Sequence, residues 1–392
     1  MPRELPDPLH EPVQPAGDRP QDADAKVKEH DSGITSECHP SSIIRPWHDP
    51  VHRVAVVGAG VAGLTCARML TDHGFAVTVF DKGRGPGGRT STRRVNPNLS
   101  FDHGAQYFTP RNSHFARFVG GCLDRGVVAE WGGRVVKLQG GAANDTTPQS
   151  RYVGVPGMSA VAAHLAAGLA VQGGTPISRC TMIHAGWQLV DVSGVGYGSF
   201  DFLIVALPAP QAAAILALHP FAVEAIGVPM TPCWSVLTAF AARLDVPWDG
   251  AFVHDSPLSW VARNSSKPGR PRGSDCWVLH ASPEWSAVHL EESADAVGPQ
   301  LLMAFQSAVG CVLPKAAHQI AHRWRYSAGA DPAGREVLFD AENGLAVCGD
   351  WLSSGRVEGA FLSGAAAARC VLDEVGIRRA PAAGDESWQF AR

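Results

Sequence analysis

Gly58-Ala-Gly60-Val-Ala-Gly63 carries the clearest chemical pattern in the chain. Gly58 allows a tight turn, Gly60 lets the backbone approach a pyrophosphate, and Gly63 lets a helix pack closely on a strand. A helix starting there would aim free N–H groups and its positive dipole end at phosphates. The motif alone is weak evidence. Here it lies between an apolar β-branched run, Arg53 to Val57, and a helical pattern from Val61 to His73 ended by Gly74. Phe75 to Phe80 then reads as a second buried strand, so the segment is a right-handed βαβ unit. Asp81 closes it, 81 − 58 = 23 positions after Gly58, where a carboxylate can accept hydrogen bonds from both ribose hydroxyls of an adenosine. A helix-capping or solvated acid is the alternative for Asp81.

Gly83-Arg-Gly-Pro-Gly-Gly88-Arg89-Thr90 follows directly. Adjacent glycines permit close backbone passage, and the planar fork of Arg89 can neutralise a pyrophosphate. A plain NAD domain has no need of this second loop, so the loop favours FAD over NAD; an ordinary glycine-rich surface turn is the alternative.

A second constellation lies near the end. Gly344 to Cys348 reads as a buried strand, followed by Gly349-Asp350 as a ligand-facing loop and by a helix from Val357 to Val371. The start of that helix would face the flavin pyrimidine edge, where negative charge gathers on reduction. Gly359, Ser363, Gly364 and Ala367 make a small face that allows close approach, whether to a cofactor or simply to the core. Arg356 places a cation there, which opposes a protonated amine and suits an anionic dinucleotide. With only 4 tyrosines in the chain, an aromatic cage for an amine would need Phe or Trp. His280 and His322 fall on expected strands and read first as core histidines; His280 stays a candidate beside Arg356 for a catalytic role near the flavin. No acid–base pair stands out among these residues. Gln106, Tyr107, Phe108 and Thr109 are candidates for a substrate pocket. Trp324 and Tyr326 are candidates for its aromatic wall, with a plain core role as the alternative. Arg263, Lys267 and Arg270 lie in or beside the polar loop Asn264 to Gly273; they read as solvated, with substrate phosphates as the second reading.

Several segments resemble a known family. Phe80 to Arg94 resembles the Gly-Gly segment of the flavin amine oxidase superfamily. Phe101-Asp-His-Gly-Ala-Gln-Tyr-Phe-Thr109, Pro156-Gly-Met-Ser-Ala160, Trp260 to Arg270, Trp277 to Ser282, Ala321 to Trp324 and Cys348 to Gly364 resemble bacterial renalase-type proteins. The resemblance runs from about His52 to Val375. It implies a p-hydroxybenzoate-hydroxylase-like fold and non-covalent FAD. It also implies oxidation of dihydronicotinamide isomers (2-dihydroNAD(P) above all, with 6-dihydroNAD(P) second) to NAD(P)+, with dioxygen reduced to hydrogen peroxide. By residue, it implies FAD contacts at Ala62, Asp81, Arg89, Ala105 and Gln106, a ribityl contact at Asp350, and a helix start under the flavin at Glu358 to Ala360. Cys180 matches more loosely a position whose backbone holds adenine. Gly58, Gly60, Gly63, Lys82, Gly88, Gly349 and Val357 complete the expected cofactor-binding set. A flavin amine oxidase or desaturase, and a non-catalytic flavoprotein, are the other readings.

These motifs need a scaffold. The expected fold is α/β: a doubly wound, Rossmann-like FAD-binding domain formed by 51–115, 151–208 and 335–378, and an α+β substrate domain with a mostly antiparallel sheet formed by 116–150 and 209–334. Phe202 to Leu207 reads as another buried strand, Gly157 to Leu165 as a helix with Ser159 as N-cap, and Thr231 to Trp285 as antiparallel strands. Residues 1–50 are polar and poor in aliphatics and are expected to be disordered, followed at the other end by a tail at 379–392. The composition, 45% hydrophobic and 18% charged, supplies a core, and a net charge of −4 gives no reason to expect nucleic acid or an anionic membrane. Nine cysteines without a C-x-x-C pair argue against a metal site and for reduced thiols in a cytoplasmic protein.

Overall fold

A computed structural model describes residues 51–329 and 334–376. The expected disordered extension, 1–50, and the tail, 379–392, lie outside the described residues. A six-stranded sheet runs, from one edge to the other, in the order Leu338–Asp340, Leu345–Val347, Phe202–Val205, Arg53–Val57, Ala76–Asp81 and Ala170–Gly173. All neighbours are parallel except the first pair. The central strands are nearly continuous apolar runs, as suits a sheet covered on both faces. Val57 stands opposite Phe80 on one side and Val205 on the other, so the Gly58 turn leaves the sheet at its carboxyl edge. Ligands bind in the crevice at that edge in open α/β sheets.

The helix Val61–Asp72 and the final helix Val357–Glu374 lie side by side on one face. Gly364 is what allows this: a Cβ there would stand 2.1 Å from the Ala62 carbonyl oxygen. The other face is covered by an antiparallel three-stranded sheet, Ile177–Ile183, Gly186–Asp191 and Gly196–Phe200, through Trp187 and Leu189 packed against Ala55 and Val57.

A seven-stranded sheet forms the second body of structure, in the order His318–Gly329, Met230–Phe240, Asp275–Ala281, Leu258–Arg263, Gly250–Val253, Val135–Gln139 and Ala142–Asp145. It is antiparallel except where Gly250–Val253 runs parallel to Val135–Gln139. Its outer face packs Trp234, Trp277 and Leu279 against Phe305 and Leu301 of the helix Ala294–Val309. The expected α/β sheet joined to a mostly antiparallel one is therefore the observed architecture. Among the described residues, no helix is long and apolar enough to cross a membrane.

Two local expectations need correction. Ser159 is not an N-cap: it is the first residue of the helix Ser159–Ala166, and its backbone N–H donates to Thr92 Oγ1 (3.1 Å). The loop after Arg263 is not a solvated basic segment. Arg263 is fully buried, and Lys267 and Arg270 are 2% and 5% exposed. Carboxylates distant in sequence draw them inward: Asp275 and Asp249 flank Arg263, and Asp102 receives both Lys267 and Arg270. A long cationic side chain is buried when such a partner waits inside.

Candidate active site

The dinucleotide turn has the geometry its glycines require. Gly58 has φ of +114°, and a Cβ on it would meet the Ala206 carbonyl oxygen at 2.4 Å. A Cβ on Gly63 would fall 2.0 Å from the Gly58 carbonyl oxygen, whereas one on Gly60 would meet no protein atom within 4 Å. Gly58 and Gly63 thus serve packing, while Gly60 leaves open space in front of the helix. That helix has no side-chain cap at its N-terminus, and neither does the final helix, which begins after Arg356. Side-chain caps do occur in this protein, from Asn112 beside the site and from Ser282 and Ser293 elsewhere, although the helix Ser159–Ala166 lacks one too. The uncapped amides are donors left for phosphate and flavin oxygens. Asp81 braces the turn: its carboxylate accepts from the backbone N–H of Ala59 and of Gly83, each at 2.6 Å.

Both helix starts open on one cavity of about 610 Å³, within the range that holds an extended cofactor portion or a small ligand. Gly60, Ala62, Arg89, Ala105, Gln106, Gly349, Asp350, Val357, Glu358 and Ala360 line it, so the two constellations distant in sequence are one site. Tyr107, Phe108, Thr109, Trp324, His280 and Arg356 line it as well. Gly58, Gly63, Asp81, Lys82, Gly88 and Cys180 do not; Lys82 is exposed, and Cys180 lies in the strand Ile177–Ile183.

Tyr326 also falls outside the lining, although Trp324 is in it. The strand His318–Gly329 changes register against Met230–Phe240 between Thr231 and Cys233, so simple alternation from Trp324 does not continue. Ser327 and Ala328 reach the cavity instead. Trp260, Phe252 and Cys233 are lining residues that the sequence did not single out. Burial pushes the Cys233 thiol up to about 12, so it stays protonated and is no nucleophile.

The side chains at the centre are largely committed. Arg89 and Asp350 form a two-point pair (Nη1–Oδ2 2.9 Å, Nη2–Oδ1 2.5 Å), and Arg89 also donates to the Ser327 carbonyl. Glu358 accepts from the backbone N–H of Arg111 and of Asn112, both at 2.7 Å. Gln106 is pinned: its Nε2 donates to the Asp102 and Gly104 carbonyls, and its Oε1 accepts from Lys267 Nζ at 3.1 Å. Carbonyls can only accept and an ammonium can only donate, so the orientation of this amide is forced. The Gln106 side chain therefore shapes the loop rather than reaching for a substrate.

His280 lies beside a histidine the sequence reading missed. The His103 carbonyl accepts from Trp324 Nε1 (2.9 Å) and lies 3.2 Å from His280 Nε2. The His103 ring stacks on Trp324 at 5.0 Å and meets His322 edge-on at 4.8 Å. Burial, then neighbouring positive charge, brings these imidazoles down, to about 3 for His103 and about 4 for His322; burial brings His280 to about 4. His280 is thus neutral at pH 7, and because a carbonyl cannot donate, its proton sits on Nε2. Its Nδ1 is an acceptor.

A Gly-rich turn at the carboxyl edge of a parallel sheet, opening on a cavity shared with the final helix, defines a dinucleotide-binding protein of the Rossmann-like class. Comparison with known proteins places it further. The model of the NAD(P)-binding Rossmann-like domain matches residues 56–122, and that of the flavin containing amine oxidoreductases matches residues 134–372. The chain belongs to the flavin containing amine oxidoreductase family, whose cofactor is FAD, and the open Gly60 and the uncapped helix starts fit that cofactor. Hydroxyneurosporene desaturase of Rubrivivax gelatinosus is 47% identical over 60 residues, 15% of this chain and 11% of that protein. The zeta-carotene-forming phytoene desaturase of Myxococcus xanthus is 52% identical over 44 residues, 11% of this chain and 8% of that protein. Among solved structures, cyclohexylamine oxidase from Brevibacterium oxydans IH-35A superposes with a TM-score of 0.67 at 13% identity, covering 83% of this chain and all of that one. Putrescine oxidase bound to putrescine gives 0.60 at 13% identity, covering 82% and 99%.

Proposed function

We propose that this protein is a renalase-type oxidase that converts dihydronicotinamide isomers, chiefly 2-dihydroNAD(P), to NAD(P)+. Bound FAD would supply the two-electron acceptor and the route to dioxygen. The observation that carries the reading is the charge balance of the cavity. Its acidic lining residues are Asp350 and Glu358; the first is held by Arg89, and the second by two backbone amides. Among the described residues, no lining carboxylate is left for an ammonium. Arg111 and Arg356 line the exposed part without an acidic partner among the described residues, which suits a diphosphate. Deeper in, Trp260, Trp324 and Tyr107 offer flat apolar walls to a dihydropyridine, and His280 Nδ1 is an acceptor for a carboxamide N–H. Cytoplasmic metabolite repair is the role that goes with this chemistry.

A second reading, oxidation of a neutral amine, is favoured by the same aromatic side chains, which can form a cage. The test is product balance in air. The proposed reaction makes one NAD(P)+ and one hydrogen peroxide per dihydronicotinamide, proton and dioxygen consumed. Peroxide from an amine, with no NAD(P)+ from any dihydro isomer, would sink the proposal.

A further inference from the structure

The loop Asn264–Arg270 delivers charge to the wall of the cavity. Lys267 Nζ is 3.3 Å from Asp102 Oδ2, 3.1 Å from Gln106 Oε1 and 3.3 Å from Asn264 Oδ1. Arg270 donates to the same Asp102 oxygen through Nε (3.2 Å) and Nη2, and through Nη1 to the Gly154 and Pro268 carbonyls at 2.6 Å. The other Asp102 oxygen accepts from Met158 N–H (2.9 Å) and Thr92 Oγ1 (2.8 Å). One carboxylate therefore faces two cations, and the cluster carries a net charge of one positive unit. The adjacent set does not cancel it: Arg263 and Arg243 are matched by Asp275 and Asp249. Asp102, Lys267 and Arg270 are each 5% exposed or less, so water screens this charge weakly.

The cluster is one residue deep behind the cavity. Gln106, Ala105 and Gly104 line the same cavity as the uncapped start of the final helix, and Gln106 is held from behind by Lys267. We propose that Lys267 is a positioning residue for the redox end of the site: its ammonium fixes Gln106 and, as the unbalanced charge of the cluster, raises the reduction potential of the bound flavin. This rests on the placement of the flavin ring against Gly104–Gln106. A buried cation favours added negative charge nearby, so it stabilises the reduced cofactor over the oxidised one.

The experiment measures the two-electron midpoint potential of the FAD-loaded protein at pH 7, by equilibration with a reference dye, for the wild type and for Lys267→Met, Lys267→Gln and Lys267→Arg. The neutral variants should shift negative by at least about 30 mV, a tenfold change in the equilibrium for a two-electron couple. Lys267→Arg should stay close to wild type. Lys267→Gln keeps a donor for Gln106 without the charge, so a normal potential in that variant would reduce the role to hydrogen bonding and overturn the proposal. A measurement on the wild type needs no folded variant. Burial, opposed by Asp102, brings the Lys267 ammonium down to about 8. Its charged or titratable neighbours are Arg270, Asp102, which despite burial its cations hold near 2, and His280, which burial keeps neutral from pH 6.5 to 9.5. Above about pH 8 reduction should draw a proton onto Lys267, and the potential should fall more steeply with pH. An unbroken line to pH 9.5 overturns the proposal. All readouts use the flavin alone, so the proposal can fail while the dihydronicotinamide reading stands, and the reverse.

Discussion

Arg89 and Asp350 are 261 residues apart and hold each other in a two-point ion pair at the floor of the cavity. The pair welds the dinucleotide loop to the loop that precedes the final helix. It also spends the Asp350 charge inside the protein, which leaves the cavity without a free carboxylate among the described residues. Asp350→Asn should weaken FAD binding about tenfold to a hundredfold, since a hydrogen bond to a charged group contributes about 1.5–3 kcal/mol and each 1.4 kcal/mol is tenfold. Titration of the apoprotein with FAD by flavin fluorescence measures this; an unchanged Kd would mean the pair has no part in holding the cofactor.

The glycines of the turn divide into two kinds. Gly63→Ala forces a Cβ to within 2.0 Å of the Gly58 carbonyl oxygen and should destabilise the apoprotein itself. Gly60→Ala meets no protein atom and has an ordinary extended backbone (φ −80°, ψ 177°). It should leave the apoprotein melting temperature unchanged and lower FAD affinity. Equal loss of apoprotein stability in both variants would show that Gly60 serves packing as well.

Acid should unfold this protein early. His103, His280 and His322 are held neutral, near 3, 4 and 4, against an ordinary value of 6.5. Between pH 6.5 and about 4 the unfolded chain binds protons that the folded one refuses. Stability from these groups is therefore complete above pH 6.5 and lost as pH falls. Each such proton costs about 1.4 kcal/mol per pH unit, with His322, the least enclosed of the three, contributing less. Urea midpoints from pH 7.5 to 4.5 should fall across this window, and the fall should lessen in His322→Gln. A flat profile would contradict the burial of the three rings.

Arg111 and Arg356 should act on the diphosphate and not on the ring. Arg111→Ala and Arg356→Ala should each raise KM for the dinucleotide about three- to tenfold, as partly screened contacts to phosphate do, with kcat little changed. A dihydronicotinamide riboside lacking the diphosphate should show no such change. Equal effects on both substrates would remove the arginines from substrate binding.

The local half of this site was legible in the sequence. Gly58, Gly60 and Gly63 follow a strand and precede a helix within one short segment, and Gly349-Asp350 precedes Val357 in the same way; neighbours in the chain carried the signal. What was not legible depends on partners far away. Nothing around Lys267 and Arg270 announces that Asp102, some 165 residues earlier, would bury them. Tyr326 is two residues from Trp324 on one strand, yet a register shift that only the partner strand shows breaks the alternation between them. His103 stands within the resembling segment Phe101 to Thr109, yet its role arises from stacking on Trp324, and no local pattern encodes that.

The central claim is that a dihydronicotinamide, and not an amine, delivers electrons to this flavin. The direct measurement is anaerobic stopped-flow reduction of the FAD-loaded protein by 2-dihydroNAD(P), 6-dihydroNAD(P), ordinary NAD(P)H and a panel of simple amines. The account predicts rapid bleaching of the oxidised flavin band by 2-dihydroNAD(P), slower bleaching by the 6-isomer, and little by the others. A flavin that stays yellow with every dihydronicotinamide while an amine bleaches it would contradict the account.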